Sequence, residues 1–309
     1  MALHRLTDIT LGVPNVEETV EYYTAFGLIP EASDNEKEHW FGTVDGGPRQ
    51  LRVVHAPIRR LLSLGVGADD RDDLGRIESA LRRSDTAVTV EGDHLRTTEP
   101  VTGLAVNVTV APHIEQQATP AGPFNTPGTI GRPNARAASL LRSGPVRPRK
   151  LGHISLGTTD VATTQRFFTE DIGFKVSDEV KDFGAFMRCS SDHHNLAVQA
   201  APVPFMHHSS WEVDDVDEIG RGAESLLADH PERHTWGLGR HWVGANYFYY
   251  FRDPAGNLSE YYSDMDQITE DELWNPGVFD LQAGNFWGPP LPPSMIEPED
   301  LAELMAGFH

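Results

Sequence analysis

The first half of the chain repeats in the second half, and this repeat constrains the fold more than any other feature. LTDITLGVPNVEETVEYY, from Leu6, matches LGHISLGTTDVATTQRFF, from Leu151, and the segments beginning near Gly65 and Trp211 match at an offset that differs by one residue. Two separate blocks that share nearly one offset are typical of a duplicated unit. At 309 residues the chain is long enough for two domains that each bury a core.

Each repeated block has the same local pattern. An alternating apolar segment, ITLGV or ISLGT, is followed by a polar turn and then by apolar residues at helical spacing. Short β-prone runs such as QLRVVHA and NLAVQA come next. The pattern predicts an α+β fold of four βαβββ modules, paired into two domains that are each a curled mixed sheet around a cavity.

Composition changes mark the expected boundaries. We predict an N-terminal module pair at residues 1–112, a Pro- and Gly-rich linker at 113–149 and a C-terminal module pair at 150–265. Residues 266–309 form a tail that contains Trp274 and Trp287. Since exposed tryptophans are unfavourable, we expect this tail to pack over the second domain.

Charge and cysteine content exclude several classes of protein. The formal net charge of −21 disfavours binding to nucleic acid or to anionic membrane surfaces. The single cysteine, Cys189, cannot form an intrachain disulfide, and no apolar run approaches membrane-spanning length. We therefore expect a soluble, cytoplasmic protein.

Histidines cluster in the second half, and two of them occupy equivalent places in the repeat. His153 lies on the first predicted strand of one module and His208 on the first strand of the next, while Glu260 follows the DPAGN turn. Two imidazoles and one carboxylate on one face of a metal leave the other face open, an arrangement associated with non-haem Fe(II) oxygenases. We predict a divalent metal site at these three residues, whereas the matching positions of the first half carry Asp8, Ser63 and, near the third, Val106 and Asn107.

Three segments of the second half resemble the active-site segments of type I extradiol ring-cleaving dioxygenases, in the vicinal oxygen chelate superfamily. They are HHNLAV, HHSSWEVDD and GLGRHWVGANYFYYFRDPAGNLSEYYSD. The resemblance implies that the metal is Fe(II), with Mn(II) as an alternative, and that a catechol-type aromatic diol is cleaved with dioxygen. It also implies a homo-oligomer.

Carried over by position, the resemblance assigns further roles. His194 corresponds to the acid-base histidine, and His241 and Tyr250 to residues that hydrogen-bond the substrate or dioxygen. His193, which precedes His194, and His207, which precedes the candidate ligand His208, are expected to point to the opposite face.

The substrate pocket is the least determined part of the prediction. We expect aromatic walls that favour an apolar aromatic ligand, formed by Trp211, Trp242 and Phe248. Catechol, a substituted catechol and a bicyclic diol all remain open. It also remains open whether a nearby arginine (Arg221, Arg240 or Arg252) binds a substrate carboxylate.

Two other functions compete with this interpretation. One is a glyoxalase-like metal-dependent isomerase or lyase, which commonly uses a fuller set of ligands than the three found here. The other is a non-enzymatic small-molecule binding protein on the same scaffold, although such proteins usually lack a complete metal triad.

Overall fold

Two large mixed β-sheets with few helices form the fold, and this confirms the predicted α+β class. The structure, a computed structural model, describes residues 3–120, 122–280 and 285–307. Among these residues, no helix combines the length and the hydropathy needed to cross a membrane.

The first sheet contains eight strands in the order β2-β3-β4-β1-β5-β8-β7-β6. Its two modules follow one another along the chain and consist of β1 (Leu3–Val13), α1 (Val16–Ala25), β2 (Ile29–Glu31), β3 (Glu38–Thr43), β4 (Gly47–His55), β5 (Arg60–Ala68), α2 (Arg71–Arg83), β6 (Val88–Glu91), β7 (His94–Thr98) and β8 (Ala105–Val110).

The second sheet contains nine strands in the order β14-β15-β16-β13-β9-β12-β11-β10-β17. Its helix α3 continues as a π-helix over Phe167–Ile172. The elements are β9 (Leu151–Thr158), α3 (Val161–Arg166), β10 (Lys175–Val180), β11 (Gly184–Arg188), β12 (Leu196–Ala200), β13 (Phe205–Glu212), α4 (Val216–Leu227), β14 (His234–Arg240), β15 (Tyr247–Arg252), β16 (Leu258–Ser263), β17 (Val278–Phe279) and α5 (Leu301–Ala306).

Both sheets are built in the same way. The first strands of the two modules pair antiparallel at the centre, β1 with β5 and β9 with β13, and the remaining strands extend outward on each side. The predicted order of strand, helix and three strands therefore occurs four times. The proposed division of the chain at residues 112, 149 and 265 stays a prediction, although the two sheets lie within 3–110 and 151–279.

Equivalent acidic residues begin the second helix of each half. Asp70 and Asp215 accept hydrogen bonds from backbone N–H groups in the first turns of α2 and α4, which satisfies donors that a helix start leaves free. The large apolar side chains that α2 buries are Leu74, Ile77 and Leu81, at the spacing of one helical face. The same signals in both halves explain why the repeat was readable in the sequence.

Strand β16 joins the two halves of the molecule. Tyr261 stacks on Phe26, with ring centroids 4.1 Å apart, and Ser259 forms a hydrogen bond with Tyr22 of α1. Successive residues of a strand point to opposite faces. Packing Ser259 and Tyr261 against α1 therefore directs Glu260, which lies between them, to the inner face of the second sheet.

The tail contacts both halves. Val278–Phe279 adds an edge strand beside β10, and Trp274 donates a hydrogen bond to the Ser177 carbonyl. Further along, Asp300 accepts two hydrogen bonds, 2.5 and 2.8 Å long, from the buried guanidinium of Arg59. The position of the tail is thus determined by residues from both halves.

Candidate metal centre

The register of three adjacent strands brings the candidate metal ligands together. Ser210 of β13 pairs with His153 of β9 on one side and with Glu260 of β16 on the other. His208 lies two residues before Ser210, hence on the same face of β13. All three candidate side chains therefore project from one face of the sheet, and all three are buried.

The distances between their donor atoms fit a single metal ion. His153 Nε2 lies 3.0 Å from Glu260 Oε2 and 3.2 Å from His208 Nε2, and the third separation, from His208 Nε2 to Glu260 Oε2, is 3.6 Å. Donors at right angles around a metal, with bonds of about 2.1 Å, lie about 3.0 Å apart. Glu260 Oε2 is buried without a well-aligned hydrogen-bond donor among the described residues. These residues can thus hold a divalent cation on one face.

The electrostatic environment favours the ligand forms of Glu260 and His208. Burial alone would raise the pKa of the Glu260 carboxyl, but the neighbouring His153 and other imidazoles hold it below its ordinary value. Burial, reinforced by His207, lowers the pKa of His208 well below 6.5. A charged carboxylate and a neutral imidazole are the forms that bind metals.

His194 lies just before β12 and beside the candidate ligands. Its ring centroid is 4.3 Å from that of His153, and its Nδ1 lies 3.0 Å from His193 Nδ1. Burial, followed by the neighbouring histidines, lowers the pKa of His194 well below its ordinary value. Near neutral pH it is therefore uncharged and able to accept a proton.

His241 and Tyr250 lie on the other side of Glu260. Tyr250 pairs with Glu260 across β15 and β16, and its hydroxyl lies 3.0 Å from His241 Nε2. Burial is the main reason that the pKa of Tyr250 is raised, so its hydroxyl stays protonated. Sequence reasoning missed Asn246, which is fully buried and donates a 3.3 Å hydrogen bond to Glu260 Oε1.

The expectation that His207 points away from the site was wrong, because His207 lines the cavity beside the candidate ligands and its Nδ1 lies 2.7 Å from His208 Nδ1. His193 contacts His194 but is not among the residues that line this cavity. For His207 the reason is an irregularity of β13, whose register shifts between Met206 and His208, so that simple alternation fails there. His193 lies outside the regular strands and is completely buried.

A cavity of about 140 Å³ opens onto these residues. Its described lining combines histidines with an apolar and aromatic wall, in which Phe183, Phe186, Trp236 and Tyr250 provide the rings. The tail contributes Leu291, Met295 and Ile296. The cavity therefore lies between the second sheet and the tail.

The three aromatic residues expected to wall the pocket do not line it, which corrects that prediction. Trp211 is completely buried in the main hydrophobic core, where its indole donates a hydrogen bond to Ser209. Trp242 is 51% exposed and packs against Phe286. Phe248 stacks behind His241 with ring centroids 4.0 Å apart, so it supports the site from outside the cavity.

A second group of candidate donors lies in the first half, at His4, Asp69 and His113. The two imidazole rings stack with centroids 4.0 Å apart and an interplanar angle of 15°. Imidazole lone pairs lie in the plane of the ring, so two nearly parallel rings do not direct them at one ion. This group fits a metal much less well than the buried set.

Comparisons with known proteins agree with the fold. Residues 150–261 match the sequence model of the Glyoxalase/Bleomycin resistance protein/Dioxygenase superfamily. The chain is 37% identical over 167 residues to metapyrocatechase 2 of Cupriavidus necator, a match that spans 52% of this chain and 52% of that protein.

Two further matches cover more of the chain. Biphenyl-2,3-diol 1,2-dioxygenase of Pseudomonas sp. (strain KKS102) is 25% identical over 266 residues, which are 82% of this chain and 87% of that protein. The crystal structure of the Mn(II)-bound glyoxalase from Novosphingobium aromaticivorans superposes with a TM-score of 0.74 at 24% identity, over 97% and 99% of the two chains. Residues 150–261 therefore match the glyoxalase/bleomycin resistance protein/dioxygenase superfamily, and proteins named as extradiol dioxygenases are among the relatives of the chain.

Proposed function

We propose that this protein is an extradiol dioxygenase that uses one divalent metal, Fe(II) by preference with Mn(II) as the alternative, to cleave a catechol-type diol with dioxygen. The observation that carries the proposal is the convergence of His153, His208 and Glu260 beside an apolar, aromatic cavity. The names of the relatives, which include a metapyrocatechase, support the same reaction class.

His153, His208 and Glu260 would hold the metal. When bound there, the metal would bring both diol oxygens and dioxygen together and make the diol easier to deprotonate. Three protein donors on one face leave room for these three oxygen donors, and no fourth His, Cys, Asp or Glu joins the group among the described residues.

The remaining polar groups take separate roles in the proposed reaction. His194, neutral because of its burial, accepts a proton from a diol hydroxyl and returns it later in the reaction. Tyr250, whose hydroxyl stays protonated, donates a hydrogen bond to a substrate oxygen. His241 orients the Tyr250 hydroxyl from 3.0 Å.

An uncharged diol fits the cavity best. Among the described residues that line it there is no lysine or arginine, and Asp280 is the one carboxylate. The arginines considered from the sequence all contact carboxylates that do not line the cavity: Arg221 with Glu218, Arg240 with Asp264 and Arg252 with Glu299. A carboxylated catechol would therefore enter without a cationic partner, which is unfavourable in a partly buried site.

A glyoxalase-like isomerase or lyase is the second candidate, because a solved glyoxalase shares the fold. Loading the protein anaerobically with Fe(II), or in parallel with Mn(II), and adding catechols and dioxygen separates the two. We expect consumption of dioxygen and a yellow ring-opened product, with catechol and 2,3-dihydroxybiphenyl preferred over 3,4-dihydroxybenzoate.

Glu260→Ala should abolish metal binding, and His194→Phe should retain the metal but lose turnover. His94→Gln, at the exposed first residue of β7 in the first half, is the matched control and should behave as the unaltered protein. Stoichiometric metal binding without dioxygen consumption on any diol would instead favour the isomerase or a binding protein. We also propose that the protein is cytoplasmic and forms a homo-oligomer.

A further inference from the structure

His207 is buried between two hydrogen-bonding partners that together determine where its proton lies. Its Nε2 is 2.7 Å from the backbone carbonyl of Met295, and its Nδ1 is 2.7 Å from His208 Nδ1. A carbonyl oxygen only accepts hydrogen bonds, so His207 Nε2 must carry a hydrogen and donate it. In the neutral ring, Nδ1 is then an acceptor.

This arrangement extends to His208. Because His207 Nδ1 accepts, the hydrogen between the two rings belongs to His208 Nδ1. His208 Nε2 is then left with a free lone pair, and this is the atom that lies 3.2 Å from His153 Nε2 and 3.6 Å from Glu260 Oε2. A metal-binding histidine commonly donates its other N–H to a fixed acceptor, which orients the ring and raises its basicity.

The series of hydrogen bonds from His208 through His207 ends at the Met295 carbonyl, in the tail. Met295 closes a short 3₁₀ turn, Pro293–Met295, and its side chain lines the cavity beside that of Ile296. A few residues further on, Asp300 is bound by the guanidinium of Arg59, which also donates to the Met206 carbonyl next to His207. Arg59 thus links the segment that follows Met295 to the strand that carries His207.

We infer that His207 is a positioning residue of the metal site, through which the Met295 carbonyl of the C-terminal tail sets the tautomer of His208. The inference rests on the proposed metal site. It gives the tail a second role besides walling the cavity, because the tail then influences how tightly the metal is held.

The test compares Co(II) affinity, measured by titration calorimetry and by the visible spectrum of the bound ion, across three variants. His207→Leu removes both hydrogen bonds and should weaken Co(II) binding about tenfold to a hundredfold. His207→Gln, whose amide can both donate and accept, should stay within about threefold of the unaltered protein. His94→Gln, at an exposed position of the first half, leaves all these contacts intact and is the control, so its Co(II) affinity should not change.

Nitrogen-15 NMR of the histidine rings in the metal-free protein reads the tautomers directly. We expect His207 protonated at Nε2 and His208 at Nδ1. The inference would be overturned if a folded His207→Leu variant bound Co(II) as tightly as the unaltered protein, or if the His207 ring were protonated at Nδ1. If the unaltered protein fails to bind Co(II), the proposed metal site fails, while the NMR result still decides the tautomer of His208 separately.

Discussion

His193 Nδ1 lies 3.0 Å from His194 Nδ1, so a fully buried imidazole supports the imidazole that faces the cavity. The other nitrogen of His193 lies 2.8 Å from Asp178 Oδ2. Asp178 in turn accepts a hydrogen bond from the backbone N–H of Gly277 in the tail. A continuous chain of contacts therefore runs from the tail to the proposed acid-base residue.

Replacing His193 should impair turnover more than substrate binding. In His193→Leu, His194 loses its hydrogen-bond partner and its fixed orientation, and we expect kcat to fall about tenfold to a hundredfold with little change in KM. Steady-state kinetics on the preferred catechol measures both. The affinity for Co(II) should stay unchanged, because His193 does not contact the candidate ligands; a parallel loss of metal would contradict this role.

Gly244 has a backbone conformation that favours glycine, with φ at +79°, and it lies against the two histidine rings. A Cβ atom there would lie 3.2 Å from His193 Nδ1 and from His194 Cε1. Gly244→Ala should therefore displace His194 and lower kcat. Gly103→Ala is the matched control, since Gly103 has φ at +71° but open space around it.

Both alanine variants carry the same backbone strain, of about 1 kcal/mol, so their thermal stabilities should fall together. Kinetics should separate them, because Gly103 lies in the first half, far along the chain from the proposed site. Loss of turnover in both variants, or in neither, would show that the contact with the histidine rings is unimportant.

Arg59 is expected to be a major determinant of stability. Its guanidinium is buried and contacts the Asp300 carboxylate, the Met206 carbonyl and the Asn257 side chain. Since Asp300 is 27% exposed and can be hydrated, we expect Arg59→Met to lower the free energy of unfolding by about 2 kcal/mol, below the range for a fully buried pair.

The exposed pair of Arg71 with Asp93 provides the comparison. Their side chains are 71% and 50% exposed, and because solvent screens such a pair, Arg71→Met should change the free energy of unfolding much less than Arg59→Met. Urea unfolding followed by tryptophan fluorescence measures both variants. Equal effects of the two substitutions would contradict the role assigned to Arg59.

Buried histidines should make the metal-free protein sensitive to mild acid. Burial lowers the pKa of His207 from 6.5 to about 4, whereas in the unfolded chain the imidazole has its ordinary value. Between these two pH values the unfolded state binds more protons than the folded state. The free energy of unfolding therefore decreases as the pH falls, by about 1.4 kcal/mol per pH unit for this one histidine.

His194 and His208, whose pKa values are also lowered, act in the same direction. Urea unfolding at several pH values between neutral and about pH 5 measures how steeply the free energy of unfolding falls with pH. His207→Gln should make this dependence less steep. A slope that this substitution leaves unchanged would show that His207 already takes up its proton near neutral pH in the folded state.

The sequence reveals its architecture well because the signals are local and repeated. Asp70 and Asp215 mark equivalent helix starts, and the alternating strands before them identify the module centres. The same repeat drew attention to His153 and His208, which the structure places with their donor atoms 3.2 Å apart. That they bind a metal stays a prediction.

The errors arose where a side chain's direction depends on the surrounding structure. Alternation along a regular strand would turn His207 away from His208, but a register shift in β13 brings the two rings together. Trp211 was assigned to the pocket by its place in sequence, yet it occupies the core. Trp236, which does line the cavity, carried no signal that distinguished it from other tryptophans.

The sequence by itself therefore determined the module order, the pairing of the modules and the residues able to serve as a metal-binding set, because periodicity and helix starts are properties of neighbouring residues. Only the tertiary structure decided which side chains surround that set. The Met295 carbonyl and Asn246 reach the site, and the Arg59–Asp300 pair holds the tail, through packing between separate elements. No local sequence pattern predicts such contacts, because each depends on the relative positions of the tail and the two halves in the folded protein.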